Sequence, residues 1–578
     1  MKLKFLLSLL FLVEPSISAR RSEAEQLRQF LKADRALGSH QPHAQARRSP
    51  VTNNDAGAKE RRTDRCHRFL NNKTQPFAVD GSGIPEVRFN IGESYAGLLP
   101  VSNKTDEQDS LYFWFFPTVN EKAKKKKEII IWLNGGPGCS SLLGLLQENG
   151  PFIWQPGMPE PVRNPWSWHL LSNIVYIEQP VGTGFAKGTP TVENEDDVAR
   201  QFLGFWRNFI DTFGMQGYKV YIVAESYGGM FGPYISSHML NANDTTYSNL
   251  QGLMIYDGLM FNQMVQYYVA TENFLDESRV VMPLADKDMA YIRNLSESCG
   301  FRDYISTYLT FPPPRPAPIH PSWSEKGSDG AWKNKEGCDK VWDLAYHRMF
   351  ELNPCFNVYS VGEGCPPLAD PLTLETPYFD RKDVKMAIHA PLDVTWSLCT
   401  DRTIFPHGDA SSDPGQRELP QVIDATKNVI IVQGGVDFTL LPLGTLLGIQ
   451  NMTWGGKQGF QTRPTDPFYV PKYYKGEFSD RPDYANTSYA NEVPAGVGVM
   501  GTTHHERGLI FVATQLAGHE GPQYAPAAAL RHIEKLLGRV HSLSDTQPFT
   551  LPELVNVTQH EKPLGKGTFL FPCFGKGC

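Results

Sequence analysis

The stretch Lys219-Val220-Tyr221-Ile222-Val223-Ala224-Glu225-Ser226-Tyr227-Gly228-Gly229 decides how this chain is read. Residues 219–224, apolar from Val220 onward, read as a buried strand. Gly229 to Leu240 reads as a helix that starts after tight glycines. A serine on a sharp turn between strand and helix is a nucleophile elbow, usually G-x-S-x-G. Ala224 stands where the first glycine is expected. Small residues are required there because the backbone crowds itself at the turn.

Other stretches repeat the same strand signature. Glu128–Asn134, Asn173–Ile177, Leu253–Tyr256, Asn428–Val432 and Gly508–Val512 read as buried parallel strands. Helical stretches lie between several of them. Asp197–Phe213 carries Phe202, Phe205, Trp206, Phe209 and Ile210 on one face. Strands that alternate with helices predict an α/β fold with a mostly parallel central sheet flanked by helices. Residues 261–370 break the rhythm with Pro312-Pro313-Pro314 and four cysteines, and read as an inserted cap or lid subdomain. The core is then split into 66–260 and 371–542, followed by an irregular tail over 543–578.

An acyl-transfer serine needs a base and a group that orients the base. Asp437 follows the strand 428–432, and His519 follows the strand 508–512. Ser, Asp, His is the chain order of α/β-hydrolases. His504-His505 is a rival base, but no strand is predicted to lead into it. The second oxyanion donor, besides the Tyr227 amide, is expected from Asn134-Gly135-Gly136-Pro137-Gly138-Cys139-Ser140-Ser141, directly after a strand.

The start of the chain reads as a signal peptide over residues 1–19, with Lys2, Lys4 and an apolar run too short to span a bilayer. Residues 20–65 hold eleven Lys/Arg against six Asp/Glu, with paired arginines, and read as a propeptide. The formal net charge is −7, so residues 66–578 carry −13. An acidic body argues against nucleic acid as a partner. No membrane anchor, metal or cofactor is expected. Nine cysteines after a signal peptide suggest disulfides. Sequons at Asn72, Asn103, Asn243, Asn294, Asn451, Asn486 and Asn556 fit a glycosylated protein of the secretory pathway, secreted or vacuolar.

Trp132–Ser141, Glu178–Phe185, Glu225–Gly229, Asn451–Phe460 and Gly518-His519 together resemble the serine carboxypeptidases, over roughly residues 66–540. The resemblance implies an α/β-hydrolase fold with Ser226 as nucleophile, His519 as general base and acid, and Asp437 as its partner. It implies an oxyanion hole from the amides of Gly136 and Tyr227. Asn134, Gly135, Glu148 and Glu225 would hold the free C-terminal carboxylate of a peptide or protein substrate. Cys139 and Cys399 would form a disulfide under the site, and the insertion cysteines are tried as 299–365 around 338–355. Two glutamates can bind a carboxylate only if one is protonated, which predicts hydrolysis favoured at acidic pH. Glu520 would favour a basic substrate side chain, and Leu440 would make nearby walls apolar. A serine carboxypeptidase-like acyltransferase or esterase is the enzyme alternative. A non-catalytic binding glycoprotein is the alternative of another class.

Overall fold

Runs such as Ile129-Ile130-Ile131 have no polar face, so they must be covered on both sides. The computed structural model describes residues 67–551 apart from 329, 366, 367, 402 and 472–495. It covers these runs by stacking eleven strands into one sheet between two layers. In chain order the strands are β1 (Ala78–Val79), β2 (Ser94–Pro100), β3 (Ser110–Phe116), β4 (Glu128–Leu133), β5 (Asn173–Glu178) and β6 (Lys219–Glu225). They continue with β7 (Leu250–Tyr256), β8 (Val429–Gly434), β9 (Asp466–Val470), β10 (Gly498–Glu506) and β11 (Leu509–Thr514). Their spatial order is β1-β2-β3-β5-β4-β6-β7-β8-β11-β10-β9. The inner strands β5, β4, β6, β7, β8 and β11 are parallel, and each coincides with a run predicted from sequence. Antiparallel strands complete both flanks.

Side chains alternate across β4. Ile129, Ile131 and Leu133 enter one core, and Ile130 and Trp132 enter the other. On the first face lie α1 (Glu195–Phe213) and α2 (Gly228–Ala242). Asn194 caps α1 by accepting the Asp197 N–H at 3.0 Å, and Glu195, Asp196 and Asp197 complement the positive helix end. The cap starts the helix two residues before the predicted Asp197. Phe209 meets Phe113 of β3 edge-on at 5.3 Å. Each such buried phenylalanine contributes about 2 kcal/mol.

Between β7 and β8 the chain forms α3 (Thr271–Glu277), α4 (Asp286–Cys299), α5 (Phe301–Tyr308) and α6 (Val341–Leu352). Trp342 of α6 donates its Nε1–H to the Phe438 carbonyl at 2.7 Å, which seats these helices beside the loop after β8. After them come α7 (Glu418–Thr426), α8 (Pro442–Asn451) and α9 (Pro526–Leu536), the last on the second face.

The disulfides are Cys139–Cys399, Cys299–Cys338 and Cys355–Cys365. The first matches the expectation, but the nested 299–365 and 338–355 pairing is wrong. Cys299 ends α4 and Cys338 leads into α6, whose packing brings their Cα atoms to 5.8 Å. Cys355 and Cys365 close their own short loop. Cys66, Cys573 and Cys578 lie outside the described residues, as do the predicted signal peptide and propeptide, most of the tail, and sequons Asn486 and Asn556. The other five sequon asparagines are exposed.

Candidate active site

Ser226 directly follows β6 with φ +78°, a left-handed backbone that costs a non-glycine residue about 1–2 kcal/mol. Neighbouring strands hold it there. Its N–H donates to the Tyr256 carbonyl at 3.0 Å, and its carbonyl accepts from Leu259 at 2.9 Å and Gly229 at 2.8 Å. The elbow tolerates Ala224 because glycines face it. A Cβ on Gly228 would stand 2.9 Å from the Ala224 Cβ. Gly228, the motif's second glycine, and Gly232 thus leave room for the Ala224 methyl.

Asp437 follows β8 and is fully buried. Its Oδ1 accepts from Thr439 N at 2.6 Å, and its Oδ2 accepts from Leu440 N at 3.3 Å and from His519 Nδ1 at 2.8 Å. With Nδ1 donating, Nε2 is left as the ring's acceptor. His519 follows β11, and its own N–H donates to the Tyr359 carbonyl at 2.8 Å. Burial disfavours the charged imidazole. The Asp437 charge and hydrogen bond outweigh burial and raise His519 above the ordinary imidazole range, a rise to which Glu520 and Asp257 add only while they are ionised.

Ser226 and His519 line one cavity of about 560 Å³ together with Asn134, Gly135, Gly136, Glu225, Tyr359, Glu363 and Glu520. Gly135 lies against the elbow, where a Cβ would stand 2.4 Å from Tyr227 N and 2.8 Å from the Ser226 Cβ. Gly136 has φ +113°, which only glycine adopts readily. Glu178 of the second quoted motif buttresses this loop, since Ser140 donates its hydroxyl to Glu178 and Trp396 Nε1 joins at 3.2 Å.

Asn134 is oriented before any ligand arrives. Its Oδ1 accepts from Trp132 Nε1 at 2.7 Å and Gly144 N at 3.1 Å, so its Nδ2 points at Glu225 (2.8 Å) and Glu148 (3.4 Å). Glu148 sits on a π-helical turn, Gly144–Asn149, and is buried beside Glu225. Burial lifts Glu148 up to about 8. It raises Glu225 well above the carboxylate range, helped by the charge of Glu148. Glu520 is lifted to about 7 by burial.

His504 and His505 lie inside β10, whose first residues lead into them, contrary to the expectation that no strand does. His504 Nε2 pairs with Glu506 at 3.0 Å, and neither histidine lines the cavity. Sequence reasoning missed Glu363 on the cavity wall and Asp257 directly after β7. The signal for Asp257 was the one used for Asp437: an aspartate closing a buried strand. Among the described residues no group of three or more His, Cys, Asp or Glu side chains is arranged to hold a metal ion, and no helix is long and apolar enough to cross a membrane.

The family model described as Serine carboxypeptidase matches residues 85–539. A probable serine carboxypeptidase of Arthroderma benhamiae is 43% identical over 82% of this chain and 88% of its own. A serine-type carboxypeptidase F of Aspergillus niger is 41% identical over 82% and 89%. The crystal structure of a prohormone-processing carboxypeptidase from Saccharomyces cerevisiae superposes with a TM-score of 0.63. It covers 81% of this chain and 97% of that one at 21% identity, a likeness of fold.

Proposed function

This chain belongs to the serine carboxypeptidase family and is a serine-type carboxypeptidase acting on peptides, and from that premise we propose which residues carry the reaction. Ser226 Oγ attacks the carbonyl carbon of the last peptide bond while His519 Nε2 takes its proton. The Gly136 and Tyr227 amides donate to the oxyanion that forms. His519, as imidazolium held by Asp437, returns the proton to the leaving amine. The released product is a free amino acid, and the peptide remains as an ester on Ser226. Water, deprotonated by His519, then hydrolyses that ester.

The observation that carries the exopeptidase reading is the Asn134–Glu225–Glu148 cluster beside Ser226. A buried site built for cleavage within a chain has no use for a proton held between two glutamates. A site for a free C-terminus does, because the substrate carboxylate can accept that proton's hydrogen bond. This favours acidic to neutral over alkaline pH, since protons are lost as pH rises through the raised values. Gly135 adds a close backbone approach to the same carboxylate.

The helical insertion between β7 and β8 serves as a cap, since Cys355, Asn357, Tyr359, Glu363 and Cys365 reach the cavity. Residues 20–65 form a propeptide, and the signal-like start with three disulfides supports passage through the secretory pathway to a secreted or vacuolar form. Sequon glycosylation belongs to the same reading. The test is incubation with N-blocked dipeptides at acidic pH, with and without a serine-directed inhibitor and with Ser226→Ala. Release of the free C-terminal amino acid only by the uninhibited enzyme is expected. Release that survives both, or release from C-terminally amidated dipeptides alone, refutes the assignment.

A further inference from the structure

The reaction as described leaves one buried carboxylate beside the triad without a task. Asp257 follows β7, which lies between the Ser226 strand β6 and the Asp437 strand β8. Its N–H donates to the Val432 carbonyl at 2.9 Å, and its side chain is fully buried. Oδ1 accepts from Gln433 Nε2 and from Gly434 N, both at 2.6 Å. Gln433 is itself fixed, donating to the Leu440 carbonyl at 2.6 Å and accepting from Thr445 Oγ1 at 2.7 Å. Oδ2 receives no hydrogen bond among the described residues, and Asp437 is brought beside Asp257 by a shared neighbour: Gln433, which donates to Asp257, also donates to the carbonyl of Leu440, whose N–H donates to Asp437 Oδ2 at 3.3 Å.

Two ionised carboxylates so placed would repel each other in a dry interior, and Oδ2 would stay unsatisfied. One proton between them removes both problems. The donors decide where it sits. Both oxygens of Asp437 accept N–H groups, from Thr439, Leu440 and His519. The donors to Asp257 converge on Oδ1 alone. We propose that Asp257 is a positioning residue, held as the neutral acid, whose Oδ2–H donates to the Asp437 carboxylate and moderates the pull of Asp437 on His519.

The device has a chemical use. His519 must be neutral to take the Ser226 proton, and anionic carboxylates around it keep it charged. A neutral Asp257 removes one of those anions and draws electron density from another. Burial, then the charge of Asp437, raises the Asp257 carboxyl well above its ordinary range, in line with this state. The titratable groups around Asp257 are Glu225 at the end of β6, Tyr256 on β7, Asp437 after β8, His519 after β11 and His532 on α9. His532 is pushed down to about 3 by burial and stays neutral across the working range.

The inference rests on the proposed triad, so its test must separate the two. The probe is the rate at which a small organophosphorus fluoridate modifies Ser226, followed against pH. It carries no carboxylate and bypasses Glu148 and Glu225. Failure to label Ser226 would overturn the triad, whereas the present inference stands or falls on the profiles. Asp257→Asn keeps a neutral donor to Asp437 and an acceptor for Gln433 and Gly434, so its acid limb should superimpose on wild type within about 0.3 pH unit. Asp257→Ala loses the donor, and its limb should move up by about one unit, about tenfold slower labelling at a fixed acidic pH. A downward shift in Asp257→Asn would mean that an ionised Asp257 had been removed, and would overturn the proposal. So would an Asp257→Ala profile identical to wild type. Should the alanine variant not fold, infrared difference spectra of wild type against Asp257→Asn decide: a protonated-carboxyl C=O band lost in the variant is expected, and its absence in wild type overturns the proposal.

Discussion

Replacing Glu148 by Gln isolates the proton that the substrate-carboxylate site is proposed to use. Asn134 Nδ2 reaches both Glu225 and Glu148, while Oε2 of each glutamate is buried without a partner among the described residues. An incoming carboxylate offers acceptors, so one of these oxygens must carry a proton to donate. With Glu148 lifted to about 8 and Glu225 raised further by burial and the charge of Glu148, the pair is neutral through acidic and neutral pH, and the first proton lost above that leaves a negative charge facing the substrate carboxylate. Beyond that point each pH unit removes tenfold of the competent enzyme, equivalent to about 1.4 kcal/mol of binding. The inhibition constant of an N-blocked amino acid should therefore be level from pH 5 to 7 and rise about tenfold between pH 8 and 9. Its amide counterpart, which has no carboxylate, should show no such rise. In Glu148→Gln the amide N–H does not titrate and one charge is gone. The rise should vanish, and the value at pH 5 should stay within about tenfold of wild type, the worth of one neutral hydrogen bond. Glu520 remains ionisable in both proteins, so its effect is common to both curves. A wild-type constant that is flat to pH 9, or a variant that keeps the wild-type slope, refutes the shared proton.

Three further outcomes follow from the geometry. Ser226→Gly should abolish turnover, a loss on the order of 10⁶ in kcat. Yet it should unfold in denaturant no earlier than wild type, because φ +78° suits glycine; a stability loss above about 1 kcal/mol would contradict the strained elbow. Glu520→Gln should lower the kcat/KM ratio for Lys-ending over Leu-ending peptides by about tenfold at pH 7.5, where the wild-type carboxylate is largely charged. An unchanged ratio removes Glu520 from side-chain selection. Stability should be greatest in the acidic range. Glu178, lifted by burial to about 7, and Glu148, lifted to about 8, give stability that is complete below about 4.5 and lost as pH rises through their native values. Glu178 alone accounts for on the order of 3 kcal/mol. His169 and His532, pushed down to about 4 and 3, act oppositely and give stability lost as pH falls below 6.5. A higher denaturation midpoint at pH 8 than at pH 5 would show that these burial costs are misjudged.

The parallel strands were legible because burial on both faces leaves an uninterrupted apolar run, a local signal. The Ser226, Asp437 and His519 positions were legible because each closes such a run and the chain order fits. What is not local was missed or misread. Cysteine pairing in the insertion depends on how α4 packs on α6, which no spacing encodes. His504 and His505 carry alternating polar neighbours because β10 is an outer antiparallel strand, so they did not resemble the inner ones. Asp257 had the same local signal as Asp437, but the elbow pattern assigns no task to the strand between nucleophile and acid. The π-helical turn under Glu148 has no marker in the sequence either, although the residue itself came through the family resemblance.

The Cys139–Cys399 bond has a consequence for how this protein ages outside a cell. The proline-rich loop after α5 is exposed and offers proteases a place to cut. A chain severed there would leave Ser226 in one fragment and Asp437 and His519 in the other. The fragments would not part: two covalent bonds span the cut, Cys139–Cys399 in the core and Cys299–Cys338 in the insertion, and β7 of the first remains hydrogen-bonded between β6 and β8. Nicking would relax the insertion while the sheet kept its register, so a two-chain product would retain the reacting groups in their original positions.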